Sequence, residues 1–232
     1  MNTALLTIDD IASRNTPVMV DYLHQKGIPA ILFAVGENVE RFYDEAVYAV
    51  QHGMIVGNHS YSHAHFSQLS AEEGIADIEK CERVLDELYR DSGVERIFRP
   101  FRFPYGDKGE HNHAALQAYL KEKRFDKVAD DHIPYPWWRE YGMDQDIDTF
   151  WSFDLEEYRV HLETDFTQEN VWAKIRRNEG GTQLFGPDNR HILLMHAHDE
   201  TEAIWPEYYK HIIDHLLERG MVFDEPHFGK RT

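Results

Sequence analysis

Hydrophobic and polar positions follow two different patterns along most of the chain. Short apolar runs are followed by longer segments in which apolar residues recur every three to four positions. The first pattern is typical of buried strands and the second of helices that cover a sheet. Six repeats of this kind can be traced, and the pattern therefore predicts an α/β fold built on a mainly parallel sheet.

Capping and turn residues set the boundaries of these segments. Thr16 as N-cap and Pro17 in the first turn open a helix that Gly27 ends, and Ser70 with Glu73 forms a capping-box signature before a long helix that closes near Gly93. The predicted strands cover residues 4–8, 30–35, 54–56, 96–101, 127–129, 149–153, 191–195 and 221–223, and the predicted helices cover 16–26, 40–52, 70–91, 114–124, 169–178 and 206–219.

Residues 130–148 carry no clear period and predict one long loop. Two prolines and the pair Trp137 and Trp138 lie in it. Because exposed aromatic rings are costly, the two tryptophans either fill the core or form a platform on which a sugar stacks.

Length and charge narrow the classes of function. The 232 residues suit a single catalytic domain over 1–232, within the size of one α/β barrel, and the formal net charge is −18. Such a charge repels phosphate backbones and anionic lipids, so we expect neither a nucleic-acid partner nor membrane insertion. As written, the chain has no signal peptide and is expected in the cytoplasm, or in the periplasm or medium if a leader precedes Met1 in the encoded protein. Oligomeric state stays open.

Polar side chains that carry chemistry follow the predicted strands. The candidates, spread over most of the chain, are Asp9 and Asp10, His59 and His63, Arg102, Asp154, and His196. Every parallel strand of a β/α barrel delivers its carboxyl end to the same rim, so these groups are expected to converge there. A lone His-x-x-x-His arises easily by chance among 15 histidines, and it is this convergence that favours a site.

The converging residue types suit a metal-dependent hydrolase. A carboxylate and two imidazoles are ligands for a borderline cation such as Zn²⁺, and three protein ligands leave one position for water. Adjacent residues that leave a strand point in opposite directions, so only one aspartate of the tandem binds the ion and the other is free to act as a base. A histidine would then protonate the leaving group.

Five ordered motifs resemble those of the polysaccharide deacetylases, the NodB-homology family. They span residues 5–196 and comprise Thr7-Ile8-Asp9-Asp10, Gly57-Asn58-His59-Ser60-Tyr61-Ser62-His63, Arg102-Phe103-Pro104-Tyr105-Gly106, Trp151-Ser152-Phe153-Asp154-Leu155-Glu156-Glu157-Tyr158 and Leu194-Met195-His196. The resemblance implies a distorted, incomplete (β/α)7 barrel and metal-dependent removal of acetyl groups from amino sugars or glycans. The implied cofactor is one divalent ion, Zn²⁺ first, with Co²⁺, Mn²⁺ or Ni²⁺ as alternatives.

The resemblance also implies a role for each motif residue. Asp9 matches the catalytic base, and the metal ligands match Asp10, His59 and His63. Arg102 matches the arginine that orients the base, and the backbone N–H of Tyr105 matches an oxyanion donor. His196 matches the catalytic acid, and Asp154 the acidic residue that positions it.

Departures from the family pattern bear on the substrate more than on the chemistry. Ile8 replaces an aromatic residue, Ile11 replaces a glycine after the tandem aspartates, and Glu157-Tyr158 replaces Asp-Trp. None removes a ligand or a proton carrier, but we expect Ile11 to alter the substrate mouth. The main hypothesis is therefore a deacetylase of an N-acetylated or O-acetylated carbohydrate. The alternatives are a hydrolase of a small non-sugar amide and a non-catalytic carbohydrate-binding protein.

Overall fold

A six-stranded parallel sheet organises the molecule. The structure, a computed structural model, describes residues 1–177, 183–186 and 189–229. Its strands are β1 (Asn2–Ile11), β2 (Ala30–Ala34), β3 (Ile55–Asn58), β4 (Phe153–Asp154), β5 (Arg190–His196) and β6 (Met221–Phe223). They run in the order β3-β2-β1-β5-β4, and β6 pairs with the first residues of β1, on the edge opposite β5.

Helices connect and cover the strands. They are α1 (Thr16–Lys26), α2 (Gly36–Arg41), α3 (Tyr43–Gln51), α4 (Ala71–Ser92), α5 (His113–Glu122), α6 (Pro136–Glu140), α7 (Arg159–Leu162), α8 (Gln168–Arg176), α9 (Asp199–Ile204) and α10 (Tyr208–Glu218). Short 3-10 turns lie at Phe66–Gln68, Pro104–Gly106 and Glu110–Asn112. Within the described ranges, no helix has both the length and the apolar character that crossing a membrane requires.

Strand β1 is buried on both faces, and its two faces meet different partners. Leu6 and Ile8 belong to the large cluster that packs under α1, α3, α4 and α10. Leu5 belongs to a second cluster with Phe33 and Trp138. Because side chains alternate along a strand, Asp9 points to the same side as Leu5. The alternation therefore carries a carboxylate to the carboxyl end of the sheet, on the side opposite these helices.

The capping box of α4 and the glycine ends of α1 and α4 are confirmed, but Thr16 is not the N-cap of α1. Asn15 holds that position without a side-chain cap hydrogen bond, and Thr16 is the first helical residue. Ser70 accepts a hydrogen bond from the Glu73 backbone while the Glu73 carboxylate accepts one from the Ser70 backbone, which completes a capping box on α4. Gly27 and Gly93 end α1 and α4 in left-handed conformations, with φ of 65° and 69°. Side chains larger than glycine adopt such angles at a cost, which is why glycine stops both helices.

Three predicted strands are wrong or much shorter. Residues 96–101 make only one bridge, between Asn58 and Phe101, and residues 127–129 make only one, between Val128 and Phe228. Pro100 has no N–H to donate to a ladder, which limits pairing in the first of these segments. The predicted strand over 149–153 reduces to β4. The sheet is therefore not closed, as an incomplete barrel requires.

Other boundaries also move. The helix predicted over 40–52 is two helices, α2 and α3, that meet at Phe42, whose ψ of 52° is not helical. The segment 130–148 contains α6, and Trp138 is buried there while Trp137 is half-buried. Strand β1 continues through Asp9 and Asp10, which the sequence placed in a loop. The last residue of the helix predicted over 169–178 lies outside the described residues.

Candidate active site

A cleft of about 540 Å³ opens at the carboxyl ends of the strands. All the predicted site residues except Arg102 line it, although they come from five separate segments of the chain. Arg102 lies behind the wall, almost fully buried. Ile11 does not line the cleft, because its side chain packs in the core with Ile8 and Met19. The Ile11 side chain therefore is not part of the cleft wall, whereas the sequence had led us to expect that it would alter the substrate mouth.

Asp10, His59 and His63 form a candidate metal-binding group. One ligand atom from each lies within 4.8 Å of the others. Nδ1 of His59 lies 2.9 Å from the backbone oxygen of Arg102, and a carbonyl can only accept a hydrogen bond. The proton of His59 is thus on Nδ1, which leaves the lone pair of Nε2 facing the group. Nδ1 of His63 lies 3.0 Å from the hydroxyl of Tyr105.

Asp10 has one satisfied and one unsatisfied oxygen. Oδ2 accepts a hydrogen bond of 2.7 Å from Nε2 of His198. Oδ1 is buried without a hydrogen-bond partner, although Nε2 of His63 lies 3.0 Å and Nε2 of His59 3.6 Å away. A buried carboxylate oxygen with no donor is costly, and a divalent cation between it and two imidazole nitrogens would satisfy it. The residues present therefore fit a metal ion.

The same surroundings keep Asp10 ionised. Burial opposes the charged form, but the hydrogen bond of His198 and the close imidazoles of His63 and His59 outweigh it and hold the pKa of Asp10 well below its usual value. At neutral pH the group therefore offers a carboxylate. His198 was not among the predicted site residues. Its alternation with His196 placed it on the same side of the chain, which was the only signal in the sequence.

Asp9 and Arg102 form a buried ion pair beside this group. Oδ1 of Asp9 accepts from Nη1 of Arg102 at 2.8 Å, while Oδ2 lies 3.4 Å from Nε2 of His59. The guanidinium also donates to the Thr7 hydroxyl and to the Thr149 backbone oxygen, and it lies 4.4 Å from the ring centroid of Phe33. These contacts fix Arg102, and Arg102 in turn fixes Asp9 with one oxygen turned toward the candidate metal group.

Glu157, rather than Asp154, contacts His196. Oε1 of Glu157 accepts from the backbone N–H of His196 at 2.5 Å and lies 3.2 Å from its Nδ1. Asp154 instead accepts from the backbone N–H of Glu156 at 2.8 Å. The sequence missed Glu157 as the partner, although it stands where the resembled motif has an acid. Carboxylate and imidazole atoms of Asp154, Glu157 and His196 lie within 4.8 Å of one another, so Asp154 still adds its charge at close range.

Burial and neighbouring carboxylates shift the pKa values of His196 and Asp154. Burial disfavours the imidazolium, but the hydrogen bond and charge of Glu157 outweigh it and raise the pKa of His196 to about 10. Burial raises the pKa of Asp154 to about 6. His196 is therefore protonated at neutral pH, with Nδ1 engaged by Glu157 and Nε2 available.

Several residues around the site adopt left-handed backbone conformations. The φ angles are 66° at Asp10, 64° at Ser60, 55° at His63 and 58° at Tyr105. Each such angle costs on the order of 1 kcal/mol or more for a residue other than glycine. Local hydrogen bonds offset part of this cost, since Ser60 N–H donates to Asn58 Oδ1 and His63 N–H donates to Ser60 Oγ.

Three other histidines lie outside the candidate metal-binding group. His65 stacks on Tyr105 with centroids 3.9 Å apart, His113 lies 3.2 Å from Asp146, and His111 is exposed. Within the described residues, none of the three belongs to a cluster with metal-ligand spacing.

Comparisons with known proteins agree with this architecture. A family model described as polysaccharide deacetylase matches residues 1–122 of the 232. Over 103 residues, or 44% of this chain, the sequence is 33% identical to the peptidoglycan-N-acetylglucosamine deacetylase of Bacillus cereus, covering 36% of that protein. It is 32% identical over 103 residues, again 44% of this chain, to chitin deacetylase 1 of Cryptococcus neoformans var. grubii, covering 21% of it. The matches span about a third or less of these relatives.

Solved structures show the same fold at low identity. The polysaccharide deacetylase Bc1974 from Bacillus cereus superposes with a TM-score of 0.65 at 21% identity, over 98% of this chain and 93% of that one. The family 4 carbohydrate esterase from Streptomyces lividans, in complex with acetate, gives 0.62 at 21%, over 96% and 91%. BA3943 from Bacillus anthracis, a family 4 pseudoenzyme, gives 0.62 at 19%, over 96% and 63%.

These similarities, together with the open parallel sheet, confirm the predicted incomplete barrel of the NodB type. At this identity the superpositions establish the fold, and the pseudoenzyme among them shows that the fold does not by itself decide catalysis. The family model covers more than half of the chain. The chain therefore belongs to the polysaccharide deacetylase family.

Proposed function

We propose that this protein is a metal-dependent hydrolase that removes acetyl groups from an N-acetylated carbohydrate. One observation carries the proposal: the unsatisfied oxygen of Asp10 and the two imidazoles share one cleft with a paired carboxylate, Asp9, and with His196, whose imidazole contacts Glu157. Asp9 and His196 are register partners on the neighbouring strands β1 and β5, so the proposed base and the proposed acid lie side by side in the sheet.

Each residue has a defined task in the hydrolysis of an acetamide. Asp10, His59 and His63 would hold a divalent ion, which supplies a Lewis acid for the acetyl carbonyl and lowers the pKa of a water. Asp9 accepts the proton of the attacking water, and Arg102 keeps Asp9 in place for that transfer. His196 donates a proton from Nε2 to the leaving nitrogen as the carbon-nitrogen bond breaks. The products are acetate and the free amine.

The substrate walls suit a sugar that carries a small acyl group. Trp151 and Leu194 line the same cleft as His196 and offer apolar contact for a methyl group, while Tyr105 lies exposed at the rim. The backbone N–H of Tyr105 is the proposed oxyanion donor. The net charge of −18 favours a neutral or cationic carbohydrate over an anionic one. The named substrates of the two curated relatives, peptidoglycan and chitin, support the same class.

The two alternatives are less well supported by the site. A small-amide hydrolase rested on Ile11, which is buried away from the cleft. A non-catalytic binding protein has a specific observation in its favour, the similar fold of a pseudoenzyme. Against it, a base, an acid and three potential ligands are all present in one cleft of this chain.

Acetate release tests the proposal and separates the alternatives. The wild-type protein with Zn²⁺ is expected to release acetate from chito-oligosaccharides or peptidoglycan fragments and to leave a panel of small amides intact. Asp9→Asn should lower kcat by roughly 10²- to 10⁴-fold, because the proton acceptor is lost, while bound Zn²⁺ stays at the wild-type level. Asp131→Asn, at a side chain that is 95% exposed, is the matched control and should be as active as wild type.

Two results would contradict the proposal. If no glycan releases acetate, and wild type and Asp9→Asn bind chito-oligosaccharide with equal affinity, the protein is a binding protein. Turnover confined to small amides would identify the other hydrolase.

A further inference from the structure

Glu82 is a buried carboxylate in the middle of α4 that does not line the cleft. It is 6% exposed, and its two oxygens accept hydrogen bonds from two arginines and one asparagine. Burial opposes its charge, but the paired Arg96 and Arg99 outweigh it and lower the pKa of Glu82. Burying an ionised carboxylate costs free energy unless its hydrogen-bond partners are held in place. The contacts of Glu82 therefore indicate which segments it orders.

The first contact leads to the loop that carries two predicted ligands. Oε1 of Glu82 accepts from Nδ2 of Asn58 at 2.9 Å. Asn58 is fully buried at the end of β3, next to His59, and its Oδ1 accepts from the Ser60 N–H at 2.8 Å. Oγ of Ser60 then accepts from the His63 N–H at 3.1 Å. Glu82 and the Ile78 backbone oxygen thus hold the Asn58 amide, and Asn58 through Ser60 holds the loop from His59 to His63.

The second contact leads to the segment that delivers Arg102. Arg99 donates two hydrogen bonds to Oε2 of Glu82, of 2.8 Å and 2.6 Å, and Arg96 donates to both oxygens. The segment also makes one bridge to β3 and bonds to Asp126 and Thr149, and the two arginines join it to α4 through Glu82. Three residues after Arg99, Arg102 pairs with Asp9, and the Arg102 backbone oxygen accepts from His59.

We infer that Glu82 is a positioning residue that sets the geometry of the metal-binding group from behind the sheet. One carboxylate joins the loop with His59 and His63 to the segment with Arg102, through Asn58 on one side and two arginines on the other. The metal part of this inference rests on the proposed function. Its structural part, that Glu82 orders both segments, concerns the protein without metal as well.

Glu82→Gln tests the inference, with Asp86→Asn as the matched control. Gln keeps the size of the side chain but has only one acceptor oxygen. If that oxygen stays on Asn58, the NH2 group faces Arg99, which loses both of its bonds to the side chain, and if the amide turns round, the bond from Asn58 is lost. Asp86 lies on the same helix and bonds the same Arg96 at 2.8 Å, yet it is 66% exposed and has no bond to Asn58. For each variant, the affinity for Zn²⁺ is measured by chelator competition, the Co²⁺ absorption spectrum reports ligand geometry, and amide hydrogen exchange is followed without metal.

Glu82→Gln is expected to weaken Zn²⁺ binding by about 10- to 100-fold, the usual effect of removing a group that orients ligands, and to change the Co²⁺ spectrum. Exchange should accelerate at the amides of Ser60 and Arg102, which bond to Asn58, more than at the amides of β5. Asp86→Asn should leave the Zn²⁺ affinity and the exchange rates within twofold of wild type and the Co²⁺ spectrum unchanged.

The outcomes separate the inference from the proposed function. If Glu82→Gln has the same Zn²⁺ affinity and the same local exchange rates as Asp86→Asn, the positioning role is overturned. A wild-type protein that binds no Zn²⁺, with selective acceleration at Ser60 and Arg102 in Glu82→Gln, would overturn the proposed function and support the positioning role. If Glu82→Gln does not fold, Asn58→Ala leaves the arginine pairs intact. It is expected to weaken Zn²⁺ binding equally, and wild-type affinity there would overturn the inference.

Discussion

The protonation of a single imidazole, His196, depends on a residue three positions beyond the expected acid. Glu157 raises the pKa of His196 to about 10, above the ordinary value of 6.5. The folded protein therefore binds more protons at His196 than the unfolded chain does between these two values. This contribution to stability is fully present below about pH 6.5, and it is lost as the pH rises through about 10.

Glu157→Gln should remove that effect, since the amide carries no charge. We expect the pKa of His196 to fall, the alkaline loss of deacetylase activity to begin at lower pH, and the stability gained between pH 10 and pH 6.5 to shrink. Histidine NMR titration and a kcat–pH profile measure the first two, and urea unfolding across that range measures the third. Glu156→Gln is the control, because Glu156 pairs with Arg159 and Lys174. An unchanged alkaline limb in Glu157→Gln would contradict the assignment of Glu157.

At the scale of elements, α4 is the helix that bonds to Asn58 and to the loop after it. Its 22 residues carry Glu82, and the backbone oxygen of Ile78 accepts a hydrogen bond from Asn58. The capping box at Ser70 satisfies backbone groups at the start of this helix, where no intrahelical partner exists. The start of α4 was also among the clearest predictions from the sequence, because a capping box is a local pattern.

Ser70→Ala should lower the free energy of unfolding by about 1 kcal/mol, since the first turn of α4 loses its side-chain acceptor. Urea denaturation followed by circular dichroism measures the change. Ser70→Asp retains an acceptor at the cap and should stay within a few tenths of a kcal/mol of wild type. Equal losses in the two variants would mean that the cap does not stabilise the helix.

At the scale of the whole molecule, the sheet ends where β3 meets the segment before Arg102. A Cβ at Gly57 would lie 2.8 Å from both the Cγ and the backbone oxygen of Pro100, and 3.1 Å from Phe33 Cδ1. Only glycine lets the two backbones approach this closely without displacement. The open edge of the barrel is thus built by close packing rather than by a continued ladder.

Gly57→Ala should therefore destabilise the fold by about 1–3 kcal/mol, because backbone must move to admit the methyl group. The measurement is the free energy of unfolding in urea, with Zn²⁺ affinity as a second readout because His59 follows two residues later. Gly229→Ala is the control, since its Cβ would meet nothing nearer than the Lys127 backbone oxygen at 3.8 Å. Equal stability of the two variants would show that the approach at Gly57 is not tight.

Local patterns in the sequence determined much of this protein. The class of fold, the start of α4, the glycines that end α1 and α4, and the family motifs with their tandem aspartates and histidines were all predicted from residues close together in the chain. Such features depend on capping, on side-chain period and on backbone angles, which a short segment decides for itself. The roles assigned to the motif residues stay predictions until activity and metal binding are measured.

Only the tertiary structure decided which groups are partners. It paired His196 with Glu157 rather than Asp154, brought His198 to Asp10, buried Ile11 away from the cleft, and reduced three predicted strands to bridges or a two-residue strand. Acids three residues apart have the same local pattern, and a strand exists only if a neighbour pairs with it. Both outcomes depend on segments far away in the chain, whose distances no local pattern contains.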